Sequence, residues 1–290
     1  MKTPNVKAIA LSLIFCFQAI HSLANPFFFP EDTSRKILMS SVIRLKDSIV
    51  VIKEANVEFP AILTGNEAKV IDYVEKFSTS RKGYLVRTYN RSRKLFPKAA
   101  EILKKYNVPQ EFKVLLALES GFNPNAVSSA GAVGYWQFMD EVAREYGLKI
   151  VSAVKRDKKG KTGNRHKQTN KVDERKNFAK STHAAARYLK DRGRNLNNDW
   201  LLIAASYNWG VGNVWNAMEK TGKANPDFWD IRHYLPAETK SYVMNFIALN
   251  VIFNNYEKFT KNELLFKPVT ARKMVPSETD ILPVDIASML

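Results

Sequence analysis

A glutamate at the end of an apolar helical stretch is the residue best placed for acid–base chemistry. Residues 115–118 read LLAL, Glu119 follows them, and Gly121, Asn123 and Pro124 then end the pattern. A carboxylate at a helix C-terminus faces the negative end of the helix dipole, and an apolar face withdraws it from water. Both effects raise the pKa of the carboxyl group, which suits it to donate a proton and take it back near neutral pH. A surface glutamate at a frayed helix end is the alternative, and Glu119 alone does not decide between them.

The segment after Glu119 combines glycines with aromatic and amide side chains. Trp136 and Gln137 place a flat ring beside an amide, and Tyr135 and Phe138 flank them. Aromatic faces cover the apolar side of a sugar ring, and amides match its hydroxyl groups. The glycines, which allow close approach of the backbone, are Gly121, Gly131 and Gly134. The pattern favours a glycan cleft, with ordinary core packing of the three rings as the alternative.

Three blocks of the chain resemble the motif blocks of the soluble-lytic-transglycosylase (SLT) domain family, in the same order and at similar spacing. They are Glu119-Ser120-Gly121-Phe122-Asn123-Pro124 with Ser128, Gly131-Ala132 and Gly134-Tyr135-Trp136-Gln137-Phe138-Met139; Ala205-Ser206-Tyr207-Asn208-Trp209-Gly210; and Glu238-Thr239-Lys240-Ser241-Tyr242-Val243. The lead-in from about Asn66 is similar to that of the membrane-bound subgroup. The resemblance implies a mainly α, lysozyme-like fold. It also implies cleavage of the MurNAc-β-1,4-GlcNAc bond of peptidoglycan without water, leaving a 1,6-anhydro-MurNAc end.

The resemblance also implies roles for individual residues. Glu119 would protonate the glycosidic oxygen and then remove the proton of the sugar's own C6 hydroxyl. Tyr207 would hydrogen-bond and orient Glu119. The other expected substrate-binding residues are Ser128, Gln137 and Met139, which line the sugar subsites, and Asn208 and Glu238, which shape the cleft.

A single acid in the signature block distinguishes this scheme from most glycosidases, which use two carboxyl groups. Asp140 and Glu141 are explained as residues at the start of a helix. Assistance by the substrate's N-acetyl group, with capture by its C6 hydroxyl, makes one carboxyl sufficient. A goose-type-like lysozyme that adds water, and a non-catalytic peptidoglycan-binding protein, are the alternatives. No metal or cofactor is expected, because the histidines are scattered and no metal-binding motif is present.

The N-terminus predicts export. Lys2 and Lys7 precede an apolar run that ends before small residues near Ala24, so residues 1–24 are interpreted as a cleaved signal peptide of a periplasmic protein. Association with the outer membrane is left open, and an uncleaved anchor helix is the alternative. Cys16 is the only cysteine, and Phe15 disfavours a lipoprotein signal there.

The net charge of +17 predicts a polyanionic partner. Peptidoglycan glycan strands are one expected partner. An anionic membrane or wall-polymer surface is another, through the basic stretch KRDKKGKTGNRHKQTNK from Lys155 to Lys171, for which a solvated insertion is the alternative. No nucleic acid is expected, because the chain has an export signal and no binding motif.

Apolar periodicity from Asn66 onward predicts helices. We expect a helical N-terminal lead-in over residues 25–95, a lysozyme-like catalytic domain over 96–265 and a C-terminal tail over 266–290. Residues 25–60 give an ambiguous pattern, and no strand is expected after residue 60. Asp140 and Asp199 are predicted helix N-caps, and Gly193 is the predicted end of a helix that starts at Phe178.

Overall fold

The protein is mainly α-helical, as predicted. The structure is a computed structural model, and it describes residues 40–45, 48–151 and 172–274. Short 3₁₀ turns connect several of its elements. The helices are α1 Ile71–Ser80, α2 Lys82–Ser92, α3 Phe96–Lys105, α4 Leu115–Ser120, α5 Asp140–Glu145, α6 Phe178–Asn195, α7 Trp200–Trp209, α8 Val211–Glu219, α9 Phe228–Ile231, α10 Ala237–Asn254 and α11 Tyr256–Thr260. The strands are β1 Ser40–Leu45, β2 Ser48–Lys53, β3 Ile150–Val151, β4 Val172–Asp173 and β5 Val269–Met274.

Helices α7 and α10 form the centre of the fold. Residues 201–206 of α7 and residues 246–252 of α10 are buried without interruption, so these helices are covered on all sides. The 3₁₀ turn before α4 packs on both, since the Phe112 ring lies 5.6 Å from Trp200 and 5.2 Å from Phe246. The apolar run that ends at Glu119 is therefore anchored in the core.

The predicted helix ends are partly confirmed. Asp199 caps α7, because its Oδ1 accepts hydrogen bonds from the backbone N–H groups of Leu201 and Leu202. The prediction that Asp140 is an N-cap is wrong, since Met139 is the N-cap of α5. The Asp140 carboxylate instead accepts a hydrogen bond from Arg144 one turn later. Gly193 does not end α6 but lies inside it, against the Asn198 side chain.

A three-stranded antiparallel sheet corrects the expectation of a wholly helical lead-in. Strand β2 lies between β1 and β5, with Ser40 opposite Lys53 and Val51 opposite Ala271. Within the described part of residues 25–95, α-helix begins only at Ile71. The β-branched run Ile49-Val50-Val51-Ile52 fits a strand, but its partner β5 lies more than 200 residues away, a pairing that local periodicity does not reveal.

The expectation of no strand after residue 60 is also wrong, because β3, β4 and β5 lie there. Strand β5 occupies residues 269–274 of the predicted tail, and the rest of that tail lies outside the described residues. The short β3 and β4 pair with each other and flank the basic stretch from Lys155 to Lys171, which also lies outside the described residues, as does the predicted signal peptide. No helix in the described ranges is long and apolar enough to cross a membrane.

Side-chain hydrogen bonds join the chain just before the helical core to the chain just after it. The Asn56 side chain donates to the carbonyl of Glu263 and accepts from the N–H of Leu265, at 2.8 and 2.9 Å. Asn255 in turn donates to the carbonyl of Glu58 at 2.7 Å. These bonds close the helical core at the side from which the sheet extends.

Candidate active site

Glu119 lies in the last turn of α4, as its sequence context predicts. The helix ends at Gly121, which adopts a left-handed conformation with φ of 56°. The N–H groups of Gly121 and Phe122 donate hydrogen bonds to the carbonyls of Ala117 and Leu116, respectively. This pattern satisfies the last carbonyl groups of the helix. Glu119 is therefore held at a sharp stop between the buried helix and the following loop.

Burial raises the pKa of the Glu119 carboxyl from 4.5 to about 7. The Tyr242 hydroxyl donates a hydrogen bond of 2.5 Å to Glu119 Oε1, and this bond acts in the opposite direction because it stabilises the carboxylate. The residue as a whole still keeps partial exposure. The site thus holds a carboxyl group that gains and loses its proton near neutral pH.

The prediction that Tyr207 hydrogen-bonds Glu119 is wrong, and Tyr242 from the third block makes that bond. The Tyr207 hydroxyl donates instead to the backbone carbonyl of Trp136, at 2.7 Å. Tyr207 is still close enough for the charge of Glu119 to raise its pKa, after the larger effect of burial. The sequence signal for Tyr242 was its place in the third block within a largely apolar stretch, where a tyrosine hydroxyl needs a partner.

A second tyrosine that the sequence did not single out, Tyr188 on α6, extends this cluster. Its ring packs edge-on against Tyr207 at 5.4 Å, and the Arg192 guanidinium lies 4.8 Å from its centre. The pKa of the Tyr188 hydroxyl is raised, because burial outweighs the opposing effect of the Arg192 charge. The rings of Tyr188 and Tyr207 lie near the Glu119 carboxyl group and limit its solvation.

The loop over residues 121–139 is tied to the Glu119 helix and to the core. Ser120 donates from its hydroxyl to the carbonyl of Tyr135 at 2.9 Å. Trp136 is 0% exposed and donates from its ring nitrogen to the Thr182 hydroxyl. The alternative of core packing is therefore confirmed for Trp136, and its backbone carbonyl accepts a hydrogen bond from Tyr207.

The predicted substrate-lining residues of this loop differ in their surroundings. Ser128 accepts a hydrogen bond from the N–H of Ala132 and so fixes a tight turn. The Gln137 amide nitrogen donates to the carbonyls of Ala126 and Gly134, which braces the loop from inside. Met139 is 44% exposed and is available for contact with a ligand. Their contact with a sugar stays a prediction.

The second and third sequence blocks meet through Asn208. Its side-chain oxygen accepts a hydrogen bond of 2.8 Å from the Thr239 hydroxyl at the start of α10. Glu238, next to Thr239, is exposed in the first turn of α10. The start of α10, which carries Glu238, and its next turn, which carries Tyr242, are thereby fixed to the end of α7.

A large groove on the described surface lies away from Glu119. It has a volume of about 1050 Å³, extends between α2, α3 and the C-terminal half of α10, and is lined by side chains such as Arg93, Phe96 and Phe253. None of the candidate residues lines it. Within the described ranges, no group of three or more histidine, cysteine, aspartate or glutamate side chains could hold a metal ion.

Comparison with known protein families identifies the region around Glu119. Residues 97–229 match the family model described as the transglycosylase SLT domain. This part of the chain, somewhat under half of its length, is similar to the SLT domain family. The resemblance inferred from the first two sequence blocks is thus confirmed, whereas Glu238 and Tyr242 of the third block lie beyond the matched residues.

The chain is also similar to a named lytic transglycosylase. The chain is 37% identical to membrane-bound lytic murein transglycosylase D of Escherichia coli K12 over 160 residues, which is 54% of this chain and 31% of that protein. It thus spans about a third of the length of that relative.

Two solved structures also align with the chain. Lytic transglycosylase Slt of Pseudomonas aeruginosa is 21% identical, with a TM-score of 0.42 over 58% of this chain and 24% of that one. The 70 kDa soluble lytic transglycosylase of Escherichia coli is 15% identical, with a TM-score of 0.41 over 73% of this chain and 40% of that one.

Proposed function

We propose that this protein is a peptidoglycan lytic transglycosylase that cleaves the MurNAc-β-1,4-GlcNAc bond and leaves 1,6-anhydro-MurNAc ends. The observation that carries the proposal is Glu119, a half-buried carboxyl group in an SLT domain with a pKa of about 7. A general acid works best when its pKa lies near the working pH. The similarity to a murein transglycosylase supports peptidoglycan as the substrate.

The reaction requires Glu119 first as an acid and then as a base. Protonated Glu119 gives its proton to the glycosidic oxygen as the bond from that oxygen to C1 of MurNAc breaks. The resulting carboxylate then takes the proton of the C6 hydroxyl of the same sugar, and C6 oxygen forms a new bond to C1. The proton returns to Glu119, so no water is consumed and the enzyme is ready for another cycle.

Tyr242 serves both halves of this cycle. Its hydroxyl holds Oε1 of Glu119 in place and stabilises the carboxylate formed after the first proton transfer. Tyr207 supports the loop rather than the acid, through the carbonyl of Trp136. Ser128, Gln137, Met139, Asn208 and Glu238 are proposed to shape the sugar-binding surface around it.

The surroundings of Glu119 favour this route over hydrolysis. A hydrolase that positions water uses a second carboxylate. Among the described residues, burial and the Tyr242 hydroxyl account for the shifted pKa of Glu119, and no neighbouring carboxylate contributes to it. Asp140, an acidic residue of the following helix, is paired with Arg144 at 2.5 Å.

Replacing Glu119 by glutamine tests the function. We expect the Glu119→Gln variant to lose at least about 100-fold in the rate of strand cleavage, because glutamine cannot donate the proton. Mass spectrometry of fragments released from purified sacculi would measure both rate and product. Anhydro ends from the wild type are expected, and reducing MurNAc ends would instead show hydrolysis. A Glu141→Gln variant, which alters an exposed glutamate of α5, is the control and should retain activity.

We also propose that the protein is exported to the periplasm and contacts an anionic membrane or wall polymer. The apolar segment in residues 1–24 and the basic stretch from Lys155 to Lys171 support these proposals through their composition. Cell fractionation with an antibody against the protein tests the first, and recovery in the cytosol would contradict it.

A further inference from the structure

A small cavity beside the 121–139 loop is the feature that the proposed reaction does not use. We call it the valine notch. Its volume is about 240 Å³. It is lined by Val127, Val133, Asp140, Ile150, Val151, Val172, Asp173, Arg175 and Lys176.

The notch has an exposed apolar floor. Val127 is 65% exposed, Val151 43% and Val172 40%, and these three belong to three separate segments of the chain. Exposed apolar residues that cluster in this way mark binding surfaces more often than isolated ones do.

The rim of the notch carries one cation that makes no direct ion pair with a described residue, although its charge acts on Asp173 from a distance. Arg175 is paired with Asp173 at 2.8 Å, and Asp140 is paired with Arg144. Lys176 donates to the side-chain oxygen of Asn125, an uncharged group, at 3.1 Å, and forms no ion pair with any described residue. A ligand that combines an aliphatic side chain with a carboxylate matches this floor and rim.

The notch adjoins the part of the loop proposed to bind sugar. Val127 immediately precedes Ser128, and Asp140 immediately follows Met139. Arg175 joins the notch to the 121–139 loop, because it is buried and donates a hydrogen bond to the carbonyl of Phe138 at 3.2 Å. At Gly134 the loop approaches the Arg175 carbonyl so closely that a side-chain carbon would lie 2.2 Å from it. The notch and the proposed sugar-binding residues Ser128 and Met139 therefore share one loop, which these contacts hold in place.

We infer that the valine notch binds the peptide stem carried by peptidoglycan, placing an aliphatic side chain on the valines and a carboxylate at Lys176. The inference rests on the proposed function, which supplies the ligand: these short peptides are attached to MurNAc, the sugar whose glycosidic bond is cleaved. The notch would make the enzyme prefer strands that carry peptides over strands from which peptides have been removed.

Kinetics on two substrates test the inference. The substrates are sacculus strands with intact peptides and the same strands stripped by an amidase. We expect Val172→Asp and Lys176→Gln each to lower kcat/KM about 10-fold on peptide-bearing strands, mainly through KM, and to leave cleavage of stripped strands unchanged. Val269→Asp, at an exposed valine of β5, is the control and should behave as wild type on both. Equal losses on both substrates, or no loss on either, would overturn the inference.

Binding of the peptide alone separates this inference from the proposed function. If the wild type releases no anhydro product from either substrate, the proposed function fails. Calorimetry with the free stem peptide L-Ala-γ-D-Glu-meso-diaminopimelate-D-Ala then measures whether the notch binds peptide, independently of catalysis. Binding to the wild type with at least about 5-fold loss in Lys176→Gln supports it, and absence of binding or equal binding to both proteins rejects it.

Discussion

Glu119 and Tyr242 determine how the activity should depend on pH. In the proposed reaction Glu119 must be protonated to act as the acid. Because its pKa is about 7, we expect kcat/KM to fall as the pH rises through 7. Tyr242→Phe removes a hydrogen bond that lowers this pKa, so the alkaline limb of the pH profile should move to higher pH. The loss of positioning should also lower kcat about 10-fold, equivalent to one hydrogen bond to a charged group.

A matched variant at the other tyrosine distinguishes the two roles. Tyr207→Phe removes a bond to the carbonyl of Trp136 and none to Glu119, so the alkaline limb should stay in place. A shift in Tyr207→Phe that equals or exceeds the shift in Tyr242→Phe would contradict the assignment.

The same carboxyl group should weaken the fold at neutral pH. The pKa of Glu119 is raised in the folded protein, so the folded state binds the proton more tightly than the unfolded state does. Stability is therefore lost as the pH rises above 4.5, and the loss is complete above about 7. Glu119→Gln should raise the melting temperature at pH 8 more than at pH 4, as measured by calorimetry. An equal change at both pH values would show that the charge is not responsible.

The raised pKa of Glu119 could be predicted because its local signal is complete: an apolar helix, a carboxyl group and a helix stop. Its partner could not be assigned in the same way. Tyr207 and Tyr242 both lie near Glu119, and only the packing of α7 against the loop directs one hydroxyl to a backbone carbonyl and the other to the acid.

The packing of the 121–139 loop against the turn after β4 depends on Gly134. Its φ is 86°, and a side-chain carbon would lie 2.2 Å from the Arg175 carbonyl. Gly134→Ala should lower the free energy of unfolding by more than about 2 kcal/mol, since strain and a backbone clash act together. Denaturation in urea would measure it.

Gly131→Ala is the control for this prediction. Gly131 has a similar φ of 89° in the same loop but open space around it, so alanine there introduces the strain without the clash. Equal destabilisation by the two variants would mean that the close approach at Gly134 contributes nothing.

The helices could largely be predicted, whereas the strands could not. The apolar periodicity of α1 and the N-cap at Asp199 are local signals. Strands β2 and β5 find each other across the whole helical core, and β3 and β4 are only two residues long each. Pairing over such separations follows from the tertiary fold and leaves little trace in neighbouring residues.

At the level of the whole molecule, Asn56 links the two ends of the helical core. Asn56→Ala should lower the free energy of unfolding by about 1 to 2 kcal/mol, because it removes hydrogen bonds to the backbone of Glu263 and Leu265. Hydrogen exchange should also show a faster-exchanging Leu265 amide. Asn56→Asp keeps the acceptor for that amide and should retain its protection; loss of protection in both variants would point to a different cause.

The strand order of the three-stranded sheet sets its response to mechanical load. Ser40 lies at one end of the sheet and Met274 at the other, because β1 and β5 run in the same direction on either side of β2. Tension that pulls these two residues apart acts along the strands, so the backbone hydrogen bonds of both ladders share the force at once instead of breaking one after another. The sheet should therefore resist shear along its strands. Pulling on Ser40 and Met274 should need a higher rupture force than pulling on Met274 in a direction that peels β5 from β2.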